Sequence, residues 1–159
     1  MSFSPQSKVW IYQSNRAFTA DEVAEIEEKI GDFTSQWKAH GHQLQAKAEV
    51  FHNFFIVFIV DEASAGVTGC SIDASVRVVK ELEQQYNVDL FNRFNMAYLK
   101  DGKVIVTSKE DFETLINIKA VGPETIVFNN MVQTLGDFEN KWQVPFNQSW
   151  HKQVFAHLL

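Results

Sequence analysis

The sequence predicts an α+β fold: a ferredoxin-like βαββαβ core, with an added hairpin strand and C-terminal helices packed on the sheet. Three observations carry this. Residues 54–60 read FFIVFIV with no polar residue, as in a strand that is central in its sheet and buried on both faces. Leu44, Ala46, Ala48 and Val50 alternate with Gln43, Gln45, Lys47 and Glu49, as in an edge strand with one wet face. Up to Tyr98 the elements run strand, helix, strand, strand, helix, strand, the split βαβ order in which the first and third strands are central. FFIVFIV needs cover on both faces, so the helices after Ser108, or a second subunit, are expected on the face that a bare ferredoxin-like sheet leaves open.

Taken in order, Val9–Gln13 reads as a short strand. Thr19 and Glu22 have capping-box spacing and start a helix whose apolar stripe is Val23, Ile26, Ile30, Phe33 and Trp37, with Gly41 as its stop. His52 and Asn53 sit at a tight turn between the alternating strand and the apolar one. From Ser71 a second helix buries Val76, Val79, Leu82 and Tyr86 and ends at Asn87. Phe94–Leu99 and Val104–Thr107 flank Lys100-Asp101-Gly102-Lys103, a strong hairpin signal. Ser108 caps a third helix with Phe112, Leu115 and Ile116 on its apolar face, closed by Gly122 and Pro123. Thr125–Phe128 has strand propensity, but Phe128, Met131, Leu135, Phe138 and Trp142 recur at spacings of three and four, which favours a helix weakened at Gly136 and broken by Pro145. Trp150, Val154, Phe155 and Leu158 suggest a terminal helix capped by Ser149.

The chain of 159 residues fits a single globular domain, residues 1–159, without repeats or a Gly-, Ser- or Pro-rich linker. Fourteen Phe and four Trp supply an aromatic core. A net charge of −6 opposes a surface that tracks phosphates, which argues against a nucleic-acid partner. The N-terminal residues have no signal-peptide core, and the longest apolar run is far short of the roughly 20 residues that span a bilayer. A cytoplasmic protein without membrane association is expected. A single cysteine agrees with a reducing compartment.

Chemistry concentrates after FFIVFIV. Gly66 and Gly69 punctuate the loop that leads to Cys70 and Ser71 at a helix start, where unpaired N–H groups favour negative charge. A thiolate at Cys70 would need a base, and the candidates are His52 and His151. Asp61, Glu62 and Asp73 would oppose the thiolate if close. The plainer reading buries Cys70 as a small hydrophobe. Gly66, Thr68, Gly69, Ser71 and Asp73 form a candidate site for a small anionic ligand, although the loop lacks the lysine of a P-loop. His40, His42 and His52 do not have the spacing of a zinc motif, and neither metal nor cofactor is assigned. Ser149 and His151, two apart, would not face each other on a helix. The tract Phe91–Tyr98 interleaves aromatics with Arg93, Asn92 and Asn95; core packing with a wet opposite face accounts for it better than ligand stacking.

The segments WIYQSNR (10–16), QWKAHGH (36–42), GCSIDASVR (69–77), LFNRFN (90–95) and SWH (149–151) together resemble a family of small uncharacterised bacterial proteins that often carry the automatic label "ABC transporter ATPase". The resemblance spans most of the chain and implies no catalytic residues. The ATPase label itself lacks its motifs here. In the only Gly-Lys pair, Gly102-Lys103, Ala97 stands where a P-loop has its first glycine and Val104 where it has Ser or Thr, and no LSGGQ-type signature occurs. Two functions follow from the residues: a non-catalytic binding or interaction domain that forms a homodimer through a sheet face or edge, or a thiol-dependent enzyme or redox sensor using Cys70.

Overall fold

The structure, a computed structural model, describes residues 2–158. It is mixed α+β with small antiparallel sheets, and the chain forms two compact units. One comprises Met1–Phe91 with Gln133–Phe138; the other comprises Asn92–Val132 with Glu139–Leu159.

The first unit runs β1 (Lys8–Gln13), α1 (Ala20–Ser35), β2 (Lys38–Ala39), β3 (His42–Gln43), β4 (Gln45–Phe51), β5 (Phe55–Asp61) and α2 (Gly69–Tyr86). Its main sheet has the order β1-β5-β4, antiparallel throughout, so the apolar strand is central and the alternating strand is an edge. All seven residues of β5 are buried. Ile56, Phe58 and Val60 pack with Ile26 and Ile30 of α1, Val79 and Leu82 of α2, and Trp37. The Thr19–Glu22 capping box forms as its spacing predicts.

Several expectations are corrected. α1 ends at Ser35, and Gly41 is not its stop: His40 (φ 50°) and Gly41 (φ 78°) turn the small β2–β3 hairpin, with both central residues in the left-handed region that such a turn requires. Trp37 therefore lies beyond the helix, where its indole N–H donates to the Ser71 carbonyl at 2.8 Å. The strand expected to complete the sheet begins at Met96 and pairs elsewhere. On the outer side of β1 the Val9 N–H donates to the Gln133 carbonyl at 3.0 Å, and Lys8 bridges to Thr134.

The second unit contains β6 (Met96–Lys100), β7 (Lys103–Thr107), α3 (Lys109–Asn117) and β8 (Ile126–Phe128). α4 (Leu135–Lys141) starts in the first unit and ends in this one, followed by β9 (Gln143–Pro145), a 3-10 turn at Phe146–Gln148 and α5 (His151–Phe155). The sheet order is β7-β6-β8-β9. Asp101 (φ 52°) and Gly102 (φ 77°) make the expected hairpin, and Ser108 caps α3. α3 closes at Asn117, five residues before Gly122, with Lys119 in the left-handed region just beyond. The long helix expected from Phe128 is also corrected. Ile126–Phe128 is a strand because Val127 finds Tyr98 on one side and Val144 on the other, and Pro145 sits in the edge strand, where its missing N–H costs no ladder bond. Met96, Tyr98, Phe112, Ile116, Val127, Phe146 and Phe155 form this unit's core. Among the described residues no helix is long and apolar enough to cross a membrane.

Candidate functional site

The loop from Glu62 to Thr68 carries the chain from the end of β5 into α2. Thr68 is the N-cap, one residue before the helix. The Thr68 hydroxyl accepts from the Ser71 N–H at 3.2 Å, and the Ser71 hydroxyl accepts from the Thr68 N–H at 2.7 Å. This is a capping box with serine as the returning side chain. Cys70, the second helical residue, is exposed, which overturns its reading as a buried hydrophobe. Asp73 is exposed one turn on, whereas Ser71 is 3 % exposed and engaged on both sides.

The loop that would cradle an anion already holds one from the chain itself. The Glu62 carboxylate accepts the Val67 N–H at 2.9 Å and pairs with Lys8 at 3.1 Å. A Cβ at Gly66 would lie 2.9 Å from Glu62 Oε2, so a side chain there would make the carboxylate shift. Asp61, which is buried, accepts the N–H groups of Ser4 (3.1 Å) and Ala63 (3.0 Å) and fixes the strand exit. Of the ligand candidates, Thr68 and Ser71 are spent on capping each other, while Gly66 lies against the Glu62 carboxylate. Neither Glu62 as an occupant nor Lys8 as its counterion emerges from the sequence, because the pair depends on β1 lying beside β5.

The candidate bases belong to different units. His52 (φ 55°) and Asn53 (φ 61°) turn β4 into β5, with the Phe54 N–H bonded to the Phe51 carbonyl at 3.1 Å. That turn is at the start of β5, and Cys70 follows its end through a loop closed on itself by Glu62. The seven residues of β5 put roughly 20 Å between the two ends. His52 and Cys70 are therefore not brought together. Desolvation pushes the His52 imidazole pKa down. His151 belongs to the second unit, where it is 1 % exposed.

Ser149 and His151 do meet, contrary to expectation: Ser149 Oγ lies 2.8 Å from His151 Nδ1, and both residues are buried. The geometry works because Ser149 is extended (φ −116°, ψ 167°) and stands outside α5, so helical spacing does not govern it. Ser149 accordingly does not cap α5 with its side chain. The imidazole stacks on Trp150 (centroids 3.8 Å apart) and is flanked by Phe112 and Phe146, each at 6.2 Å. Burial among these rings pushes its pKa down to about 4, leaving it neutral near pH 7. A hydroxyl and an imidazole sealed in this way serve packing.

In the aromatic tract, Met96, Ala97 and Tyr98 are buried as core packing predicts, but Phe94 is 70 % exposed. The Asn92 side chain accepts the Phe94 N–H at 2.9 Å and holds that turn. His40 and His42 are exposed, and no group of three or more His, Cys, Asp or Glu side chains able to hold a metal ion occurs among the described residues. Comparisons with protein-family models, with curated proteins and with solved structures find no match to this chain.

Proposed function

We propose that the protein is a cytoplasmic, non-catalytic interaction module that associates as a homodimer. Its first unit is read as a ferredoxin-like sheet in which Gln133 and Thr134 stand where the fourth strand would run. One observation supports the functional reading above the others: the polar groups around the start of α2 are engaged by the chain's own side chains, with Glu62 on the Val67 N–H and Thr68 and Ser71 on each other. A small anion would have to displace Glu62 together with its Lys8 partner.

The thiol reading is favoured by one fact, the exposure of Cys70 in the first turn of an 18-residue helix. The two readings part in a competition experiment. Native protein is treated with a slow electrophile such as chloroacetamide in excess glutathione, and labelling of Cys70 is followed by mass spectrometry. An interaction module leaves Cys70 labelled no faster than the glutathione around it. Preferential labelling, abolished by His52→Ala or His151→Ala, would establish the thiol enzyme instead.

A further inference from the structure

We propose that the chain dimerises by exchange: Gln133–Phe138 of each copy takes its place beside β1 of the other, with Asn92–Asn95 as the hinge. This rests on the homodimer reading above and deepens it by naming the segment that changes partner.

The site for this segment is built and filled. The Val9 N–H donates to the Gln133 carbonyl at 3.0 Å, the Leu135 N–H to the Ser7 carbonyl at 2.8 Å and the Gly136 N–H to the Pro5 carbonyl at 2.9 Å. A Cβ at Gly136 would stand 3.4 Å from the Pro5 carbonyl oxygen, so the two backbones approach closely there. Phe138 meets Phe51 edge to face at 5.2 Å and is 8 % exposed. The outer edge of β1 thus has an observed occupant, a segment of this sequence, and every copy of the chain carries one.

The chain reaches that segment through a single passage. The rest of the first unit is complete by Phe91, and Gln133–Phe138 is the later stretch that joins it. Leu90 is firmly anchored, 3 % exposed and with its N–H bonded to the Glu83 carboxylate at 2.8 Å, and β6 begins at Met96. Between them Asn92, Arg93 and Phe94 are exposed, and the Phe94 N–H bonds locally to the Asn92 side chain at 2.9 Å. Opening this turn redirects everything after it without breaking a strand or a helix.

The hinge also favours the dimer over the closed chain. Exchange repeats every contact of the segment between copies, so those contacts leave the two forms equal. What differs is the hinge, which carries Phe94, 70 % exposed, next to Phe91, 39 % exposed. In an exchanged dimer the two hinges run past each other about the two-fold axis, and these rings lose water against their counterparts. That apolar burial is available to two copies and not to one.

Sedimentation equilibrium of the full chain and a disulfide trap test this together. Lys8 and Thr134 face each other as a bridge pair with no bond between them, since the bonds run from Val9 to Gln133 and from Leu135 to Ser7. Such pairs hold their Cα atoms roughly 4.5 Å apart, within reach of a disulfide. The native chain is expected to be a dimer. Lys8→Cys with Thr134→Cys, in a Cys70→Ser background, is expected to give a disulfide-linked dimer on a non-reducing denaturing gel after mild oxidation. Phe94→Asp is expected to weaken the dimer roughly tenfold or more while leaving the circular dichroism spectrum unchanged. If the cysteine pair fails to fold, Phe94→Asp decides. A native dimer whose cysteines link within each chain, or one that Phe94→Asp leaves unweakened, overturns the exchange and leaves self-association standing. A native chain that stays monomeric at high concentration overturns both.

Discussion

Arg16 ties three parts of the first unit together with one side chain. Its guanidinium donates to both carboxylate oxygens of Glu22 (2.8 and 2.9 Å) and to the Tyr86 carbonyl at the end of α2 (2.7 Å). The Glu22 carboxyl is held down at about 2, first by the Arg16 hydrogen bond and then by the Thr19 N–H. Arg16→Ala should cost about 1–2 kcal/mol, part of the charge being screened by solvent, and Arg16→Lys should recover little because a lysine cannot fork. Chemical denaturation measures both. His151 gives a pH signature. Its folded pKa of about 4 lies below the usual value of 6.5, so the unfolded chain binds the extra proton and stability falls as pH drops from 6.5 toward 4, by roughly 3 kcal/mol in total. His151→Phe should flatten that slope. The exposure of Cys70 and the Ser149–His151 contact were not legible beforehand, since one depends on how far α2 is covered and the other on a single extended residue before a helix.

Chain termini and turns were legible wherever the signal is local. Thr19 with Glu22, Ser108 with Asp111, and Asp101-Gly102 all act within four residues, and each forms. Thr68→Ala should remove the equivalent cap on α2 and cost about 1 kcal/mol in a denaturant melt. Lys119 occupies the left-handed region (φ 63°) just past α3, a conformation that costs a side-chain-bearing residue roughly 1 kcal/mol. Lys119 is exposed, so Lys119→Gly should raise the melting temperature. Where a partner decides, local reading fails. The three-and-four spacing from Phe128 to Trp142 is helical on its face, yet Val127 lies between Tyr98 and Val144 in a sheet. In the structure the same apolar residues serve a strand, a turn and the seven-residue helix α4.

The two units are not consecutive in sequence. Gln133–Phe138 returns to the first unit, where the Leu135 N–H bonds the Ser7 carbonyl, the Gly136 N–H bonds the Pro5 carbonyl and Phe138 meets Phe51 edge to face at 5.2 Å. Composition and linker signals pointed to one domain because no boundary of the usual kind exists. Residues 1–91 alone should melt less cooperatively than the full chain, and a peptide spanning residues 131–141 should raise the melting temperature; no response to the peptide would show that the return segment contributes little. In the full chain the β5 amides should exchange slowest, since every residue there is buried.

The return of Gln133–Phe138 also sets a schedule for synthesis. At roughly 5–20 residues per second, several seconds separate the making of Phe91 from that of Phe138. During that interval a nascent β1 can hold its place beside β5 but lacks the strand-like neighbour on its other side. Ribosome-bound chains of this length are the ones on which a chaperone that shields open strands should be found.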